Sequence, residues 1–112
     1  MASFADRALG IVERTSADAF PGEWAPGVEM TRGFLWAMSL DGVPVLAFET
    51  SPGSILFSVA APDILDVRKP RAGLNVMLEV DVKGDNHEEH TLTLVGPRGR
   101  MKRIFDFLGW VL

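Results

Sequence analysis

Residues 34–50 read FLWAMSLDGVPVLAFET, two apolar runs on either side of an Asp-Gly pair. Glycine adopts a positive φ at little cost, so Asp41 and Gly42 between apolar runs are a strong signal for a two-residue β-turn. A second turn follows at the Ser-Pro-Gly sequence of residues 51–53. Because the runs are apolar at nearly every position, we expect both faces of the resulting sheet to be covered. The pattern predicts a three-stranded meander, with strands at residues 34–40, 43–50 and 54–60.

The remaining strands are predicted in the C-terminal half. Residues 74–83 alternate apolar and polar side chains, with Leu74 in the apolar set, which is the period-two pattern of a half-buried strand. Residues 90–95 are expected to pair back on it across a polar turn. Between the two groups of strands, residues 61–73 read as a connection with one helical turn at 62–66.

A helix is predicted at each end of the chain. Over residues 3–19, Ser3 is suited to cap a helix and apolar side chains recur at helical spacing. Residues 21–33 then form a loop rich in proline and glycine, and residues 100–112 form the second helix. This order predicts a single α+β domain over residues 1–112, with a five-stranded, mainly antiparallel sheet and N-terminal and C-terminal helices packed on it.

The element order of helix, three strands, connection, two strands and helix is similar to that of type III secretion chaperones. The small size and the acidic composition agree with this resemblance, which concerns the layout and no residue signature. Proteins of that family are homodimers that hold partner chains against a hydrophobic surface. The resemblance therefore bears on the architecture, for which it implies a homodimer, and not on the function.

The composition excludes several classes of site. The chain has 112 residues, enough for one domain, and its 11 basic and 15 acidic residues give a net charge of −4. Cysteine is absent, which excludes disulfides, zinc–thiolate sites, iron–sulfur clusters and cysteine nucleophiles. No apolar run approaches the roughly 18–20 residues that span a bilayer, and residues 1–10 do not resemble a signal peptide. We therefore expect a cytoplasmic protein without a transmembrane segment.

Positive charge is concentrated in two short clusters, which hold seven of the eleven basic residues and leave a net charge of −11 on the rest of the chain. The second cluster follows the loop at residues 96–99, where a strand ends and a helix begins. Free backbone N–H groups at such a point bind anions. The alternative function is therefore a module that binds phosphate or nucleic acid, although the acidic remainder argues against a wide nucleic-acid footprint. Its residues would be Arg68, Lys69, Arg71, Arg98, Gly99, Arg100, Lys102 and Arg103.

The C-terminus carries the leading functional hypothesis. Asp106 is the only charged residue in 104–112, and as a helix this stretch is apolar on more than one side. It would be buried in a monomer, pack on a second copy, or lie on an acidic membrane or partner. We expect a small non-catalytic interaction module (an adaptor, chaperone, inhibitor or assembly component) that forms a homodimer through this helix and binds another protein chain. Its contact residues would be Trp24, Met30, Phe105, Phe107 and Trp110.

Metal binding and catalysis find little support in the sequence. His87 and His90 stand three residues apart in an acidic turn, and side chains three apart on a strand face opposite sides. We therefore expect no metal site. The chain has no nucleophile motif or cofactor fingerprint, so we expect neither enzymatic activity nor a cofactor.

Overall fold

The computed structural model describes residues 10–22, 29–71, 73–84 and 86–112, and in them seven strands precede one helix. A 3-10 turn at Ala61–Asp63 joins the fourth strand to the fifth. The elements are β1 (Gly10–Phe20), β2 (Thr31–Leu40), β3 (Val43–Ser51), β4 (Ser54–Ala60), β5 (Ile64–Arg71), β6 (Asn75–Lys83), β7 (Glu89–Pro97) and the helix α1 (Arg98–Phe107).

All neighbouring strands are antiparallel, in the order β4-β3-β2-β1-β7-β6-β5. The two edge strands, β4 and β5, are nevertheless consecutive in the chain. In a flat sheet of seven strands the edges would lie about 29 Å apart, since strands are spaced by about 4.8 Å. The connection from Ala60 to Ile64 can span only about 14 Å. The sheet must therefore curl until its edges approach each other, with an inner face around the core.

The predicted fold class is wrong, because the sheet has seven strands instead of five and a strand stands where an N-terminal helix was expected. The part of residues 3–19 that the structure describes belongs to β1, while residues 1–9 lie outside the described residues. On β1, Thr15, Ala17 and Ala19 face inward and leave room for α1. Alanine is the strongest helix former, so the small residues that this packing requires resemble a helix in the sequence.

The second missed strand is β5, which the sequence presented as a connection. It is an edge strand that pairs only with β6 among the described strands, and it contains Pro70 and several charged residues. Proline and charge are typical of edge strands because they block further pairing, but they are equally typical of linkers. The predicted helical turn at 62–66 is the shorter turn Ala61–Asp63. Because of these two additional strands, the element order no longer matches that of type III secretion chaperones.

The hairpin and the other predicted strands are confirmed. Asp41 and Gly42 both have positive φ, 52° and 79°, as the mirror-image two-residue turn requires. β6 and β7 cover the predicted strands at 74–83 and 90–95, except that β6 starts one residue later. The C-terminal helix is confirmed, but it begins at Arg98 and ends at Phe107.

The core fills the inside of the curled sheet, and α1 supplies part of it. Met101, Ile104 and Phe105 on the helix are fully buried against inward side chains of the strands. Gly96 permits this approach, because a Cβ there would lie 3.0 Å from the Met101 sulfur. On the outer face of β2 and β3, a second apolar cluster is also buried, as expected for strands covered on both faces. It consists of Trp36, Met38, Val45 and Ala47.

Candidate binding site

The basic residues of α1 point in two directions. Arg98 and Lys102 are four residues apart and share one side of the helix, whereas Arg100 and Arg103 are three apart and share another. Arg100 Nη1 lies 2.9 Å from Glu13 Oε1, and Arg103 Nη1 lies 3.4 Å from Glu13 Oε2. The predicted basic cluster is therefore divided between two different surfaces of the molecule.

Glu13 on β1 holds the first pair of arginines. Its side chain is only 12% exposed, and it also accepts a hydrogen bond of 3.1 Å from the Arg14 backbone N–H. Burial by itself raises the pKa of this carboxyl, but the hydrogen bonds from Arg14, Arg100 and Arg103 outweigh it and lower the pKa below its usual value. Much of the positive charge of Arg100 and Arg103 is thus balanced at Glu13.

Arg68 is also neutralised by carboxylates. It makes a bidentate ion pair with Asp81 on the neighbouring strand, and lies 3.4 Å from Asp66 and 3.8 Å from Glu79. The hydrogen bond from Arg68 lowers the pKa of Asp81; burial opposes this change, and a hydrogen bond from Thr91 supports it. Arg68 is therefore a structural cation of the outer sheet face.

Three of the remaining cations converge on one small cleft between β5 and α1. We call it the cationic cleft, and its lining consists of Lys69, Val76, Arg98, Lys102 and Leu112. Its volume is about 50 Å³. Lys102 Nζ lies 2.7 Å from Asp106 Oδ2, but Lys69 and Arg98 have no ion-pair partner among the residues that the structure describes. Among the described side chains, three cations with one carboxylate leave a local excess of positive charge.

Two strongly exposed apolar residues adjoin residues that line the cationic cleft. Leu74, in the turn between β5 and β6, is 95% exposed, and its carbonyl accepts a hydrogen bond of 3.1 Å from the Arg98 N–H. Val111, next to Leu112, is 86% exposed. The surface thus combines unpaired cations with apolar side chains, a combination that suits a partner with both acidic and apolar groups.

The residues predicted for protein contact are not all available at the surface. Phe105 is fully buried in the core and is inaccessible while the domain is folded. Phe107 and Trp110 are half-buried and pack against the core, whereas Met30 is 48% exposed. Trp24 lies outside the described residues.

Of the predicted anion-binding set, only Lys69, Arg98 and Lys102 line the cationic cleft. Gly99 is exposed on α1, and Arg71 is the last residue of β5. Sequence reasoning missed Leu74, Val76 and Leu112. Leu74 continues the alternating pattern of β6, so the sequence predicted a buried residue, but the strand starts at the next position.

The histidines form no metal centre with other described side chains. His87 is exposed with a φ of 62°, and His90 Nε2 lies 3.4 Å from Glu88 Oε1. Within residues 10–22, 29–71, 73–84 and 86–112, no three histidine or acidic side chains stand together in a way that could hold a metal ion. His87 and His90 therefore give no indication of function.

Comparison of the chain with protein-family models, with curated proteins and with solved structures finds no match. No helix in the described part of the chain is long and apolar enough to cross a membrane.

Proposed function

We propose that this protein is a small non-catalytic interaction module that binds an acidic segment of another protein at the cationic cleft. The observation that carries the proposal is the convergence of Lys69, Arg98 and Lys102 on one cleft beside exposed Leu74 and Val111. Lys69 and Arg98 come from different elements, and neither has a carboxylate partner in the described residues. An acidic ligand would supply the missing negative charge.

The size of the cationic cleft favours a carboxylate over a nucleotide. Pockets that enclose small molecules have volumes of about 300–1,000 Å³, so the 50 Å³ here suit one small group such as a carboxylate and not a whole nucleotide. The exposed apolar side chains of Leu74 and Val111 would then contact leucine-like side chains of the same segment. Nucleic acid would require many phosphate contacts, and a chain with a net charge of −4 offers few.

The dimer expected from the C-terminal helix is not part of this proposal. Of the contact residues expected on this helix, Phe105 is fully buried in the protein's own core, and Phe107 and Trp110 are half-buried against it. The exposed Val111 and Leu74 instead belong to the surface around the cationic cleft. The module therefore acts on a different chain and as a monomer.

The test is fluorescence anisotropy with a labelled peptide that combines glutamates with leucines. Wild-type protein should bind it saturably, and the double variant Lys69→Glu/Arg98→Glu should bind at least about tenfold more weakly, since hydrogen bonds to charged groups contribute about 1.5–3 kcal/mol each. The matched control, Arg32→Glu/Lys83→Glu, makes the same change in net charge on other strands and should retain wild-type affinity.

Two results would contradict the proposal. Equal loss of affinity in both double variants would mean that only net charge attracts the peptide. Tighter binding of a single-stranded oligonucleotide than of the peptide would favour nucleic acid. Circular dichroism of each variant should show native secondary structure, so that a loss of affinity reports the surface.

A further inference from the structure

A second polar groove lies on the other side of α1, where the sheet is incompletely paired. β1 pairs with β2 along most of its length but with β7 only over residues 18–20. In the described residues, one edge of β1 before Asp18 is thus open. The opening, which we call the β1 groove, has a volume of about 310 Å³. Its lining residues are Arg14, Thr15, Ser16, Phe34 and Arg100.

Positive charge exceeds negative charge around the β1 groove. The Arg14 guanidinium lies 4.6 Å from the centre of the Phe34 ring and 5.3 Å from that of Trp36. These rings fix its position without neutralising it, and no described carboxylate pairs with it. Arg100 and Arg103 share the single carboxylate of Glu13. The groove itself is lined by two guanidinium groups, those of Arg14 and Arg100, and only Arg100 is paired with a described carboxylate.

A hydroxyl group stands among these arginines. Ser16 Oγ accepts a hydrogen bond of 3.1 Å from Arg32 Nη1, which leaves its own hydrogen available to a ligand. Thr15 Oγ1 donates to the Ser16 carbonyl at 3.1 Å, which holds the backbone of β1 in place at this point. Arg32 is itself paired with Asp18, 3.3 Å away. The groove thus offers two guanidinium groups and one hydroxyl donor to an anion.

We propose that the β1 groove binds a soluble small molecule that carries a phosphate monoester. A phosphate dianion suits a groove lined by two arginines, because guanidinium groups donate paired hydrogen bonds to phosphate oxygens. Arg14 and Arg100 bind the phosphate, Ser16 donates to one of its oxygens, and Glu13 is a positioning residue that holds Arg100. The volume exceeds that of the phosphate group, so the organic part of the ligand lies along the half-exposed Phe34 ring.

This site is independent of the cationic cleft, so each proposal can fail alone. The test is a titration of glycerol 2-phosphate followed by isothermal calorimetry and by backbone amide shifts. We expect saturable binding with shifts at residues 13–16 and 34. Arg14→Ala should weaken binding about tenfold or more. Arg14→Lys, which keeps the charge and loses the paired donors, should also bind more weakly than wild type.

Two controls distinguish binding at the β1 groove from the general attraction of any anion to cationic side chains. Lys69→Ala/Arg98→Ala, in the cationic cleft, should leave the glycerol 2-phosphate affinity unchanged, and acetate should bind far more weakly than the phosphate. The proposal is overturned if acetate binds equally well, or if Arg14→Lys and Arg14→Ala, both folded by circular dichroism, retain wild-type affinity. Binding to phosphatidic acid vesicles without binding to glycerol 2-phosphate would assign the groove to lipid headgroups and would also overturn it.

Discussion

At the scale of single residues, Glu13 connects the helix to the sheet. Its carboxylate binds Arg100 and Arg103, and its pKa is lowered below 4.5. A carboxyl group with a lowered folded-state pKa stabilises the protein above its unfolded pKa, and this contribution is lost as the pH falls through the folded pKa.

We therefore expect Glu13→Gln to reduce the free energy of unfolding at neutral pH by about 1 kcal/mol, since both arginines are more than half exposed. The difference from wild type should shrink as the pH falls below 4.5. Urea unfolding at a series of pH values measures this difference in the free energy of unfolding. Glu29→Gln, at an exposed position, is the control and should change the free energy of unfolding by less than about 0.5 kcal/mol. A difference for Glu13→Gln that is independent of pH would contradict this role.

Two glycines near the start of α1 provide a matched pair. A Cβ at Gly96 would lie 3.0 Å from the Met101 sulfur and 3.3 Å from the Ala17 Cβ, whereas a Cβ at Gly99 meets nothing within 4 Å. Gly96→Ala should cost about 1–3 kcal/mol of stability through overpacking. Gly99→Ala should raise stability by about 0.5–1 kcal/mol, because alanine is the better helix former. Thermal unfolding of both variants checks this, and equal effects would mean that α1 does not pack closely on β7 at Gly96.

At the scale of elements, α1 is part of the core. Phe105 is fully buried on it, while Val111 beyond its end is 86% exposed. Phe105→Ala should lower the free energy of unfolding by about 3–5 kcal/mol. Val111→Ala should change it by less than about 0.5 kcal/mol, as is usual for surface positions. Chemical denaturation gives both values, and a small effect of Phe105→Ala would show that the helix is not held in the core.

The elements also show which parts of the fold the sequence predicts. The hairpin at Asp41 and Gly42 is local, since the turn and the two apolar runs specify it together, and it was confirmed. β1 depends instead on contacts between residues that are far apart in the chain, because its inward-facing alanines are explained only by the packing of α1 against them. β5 depends on its edge position, where Pro70 is tolerated. Neither the packing of α1 on β1 nor the edge position of β5 can be inferred from residues that are close in the sequence.

The candidate sites likewise combine residues that the sequence alone could identify with contacts that it could not predict. Lys69, Arg98 and Lys102 could be selected from the sequence as cations, but the pairing of Arg68 with Asp81, and of Arg100 with Glu13, could not. These pairs join residues far apart in the chain, and they decide which cations stay unpaired.

At the scale of the whole molecule, we expect a monomer. Of the three residues of this helix that were expected to join two copies, Phe105 is fully buried, and Phe107 and Trp110 are half-buried against the protein's own core. Light scattering of the full chain should give a mass near 12.2 kDa at both low and high salt. A dimer that persists at high salt would contradict this expectation, because it would require an apolar interface other than the one that α1 has buried.

The central claim is that an acidic, apolar protein segment binds at the cationic cleft. The most direct measurement is a map of backbone amide shifts in ¹⁵N-labelled protein on addition of the peptide of glutamates and leucines. We predict that the shifts concentrate at Lys69, Leu74, Arg98, Lys102 and Leu112 and saturate together. Shifts concentrated instead around Phe20 and Thr93, which line a separate groove of about 330 Å³, or no shifts at all, would contradict the claim.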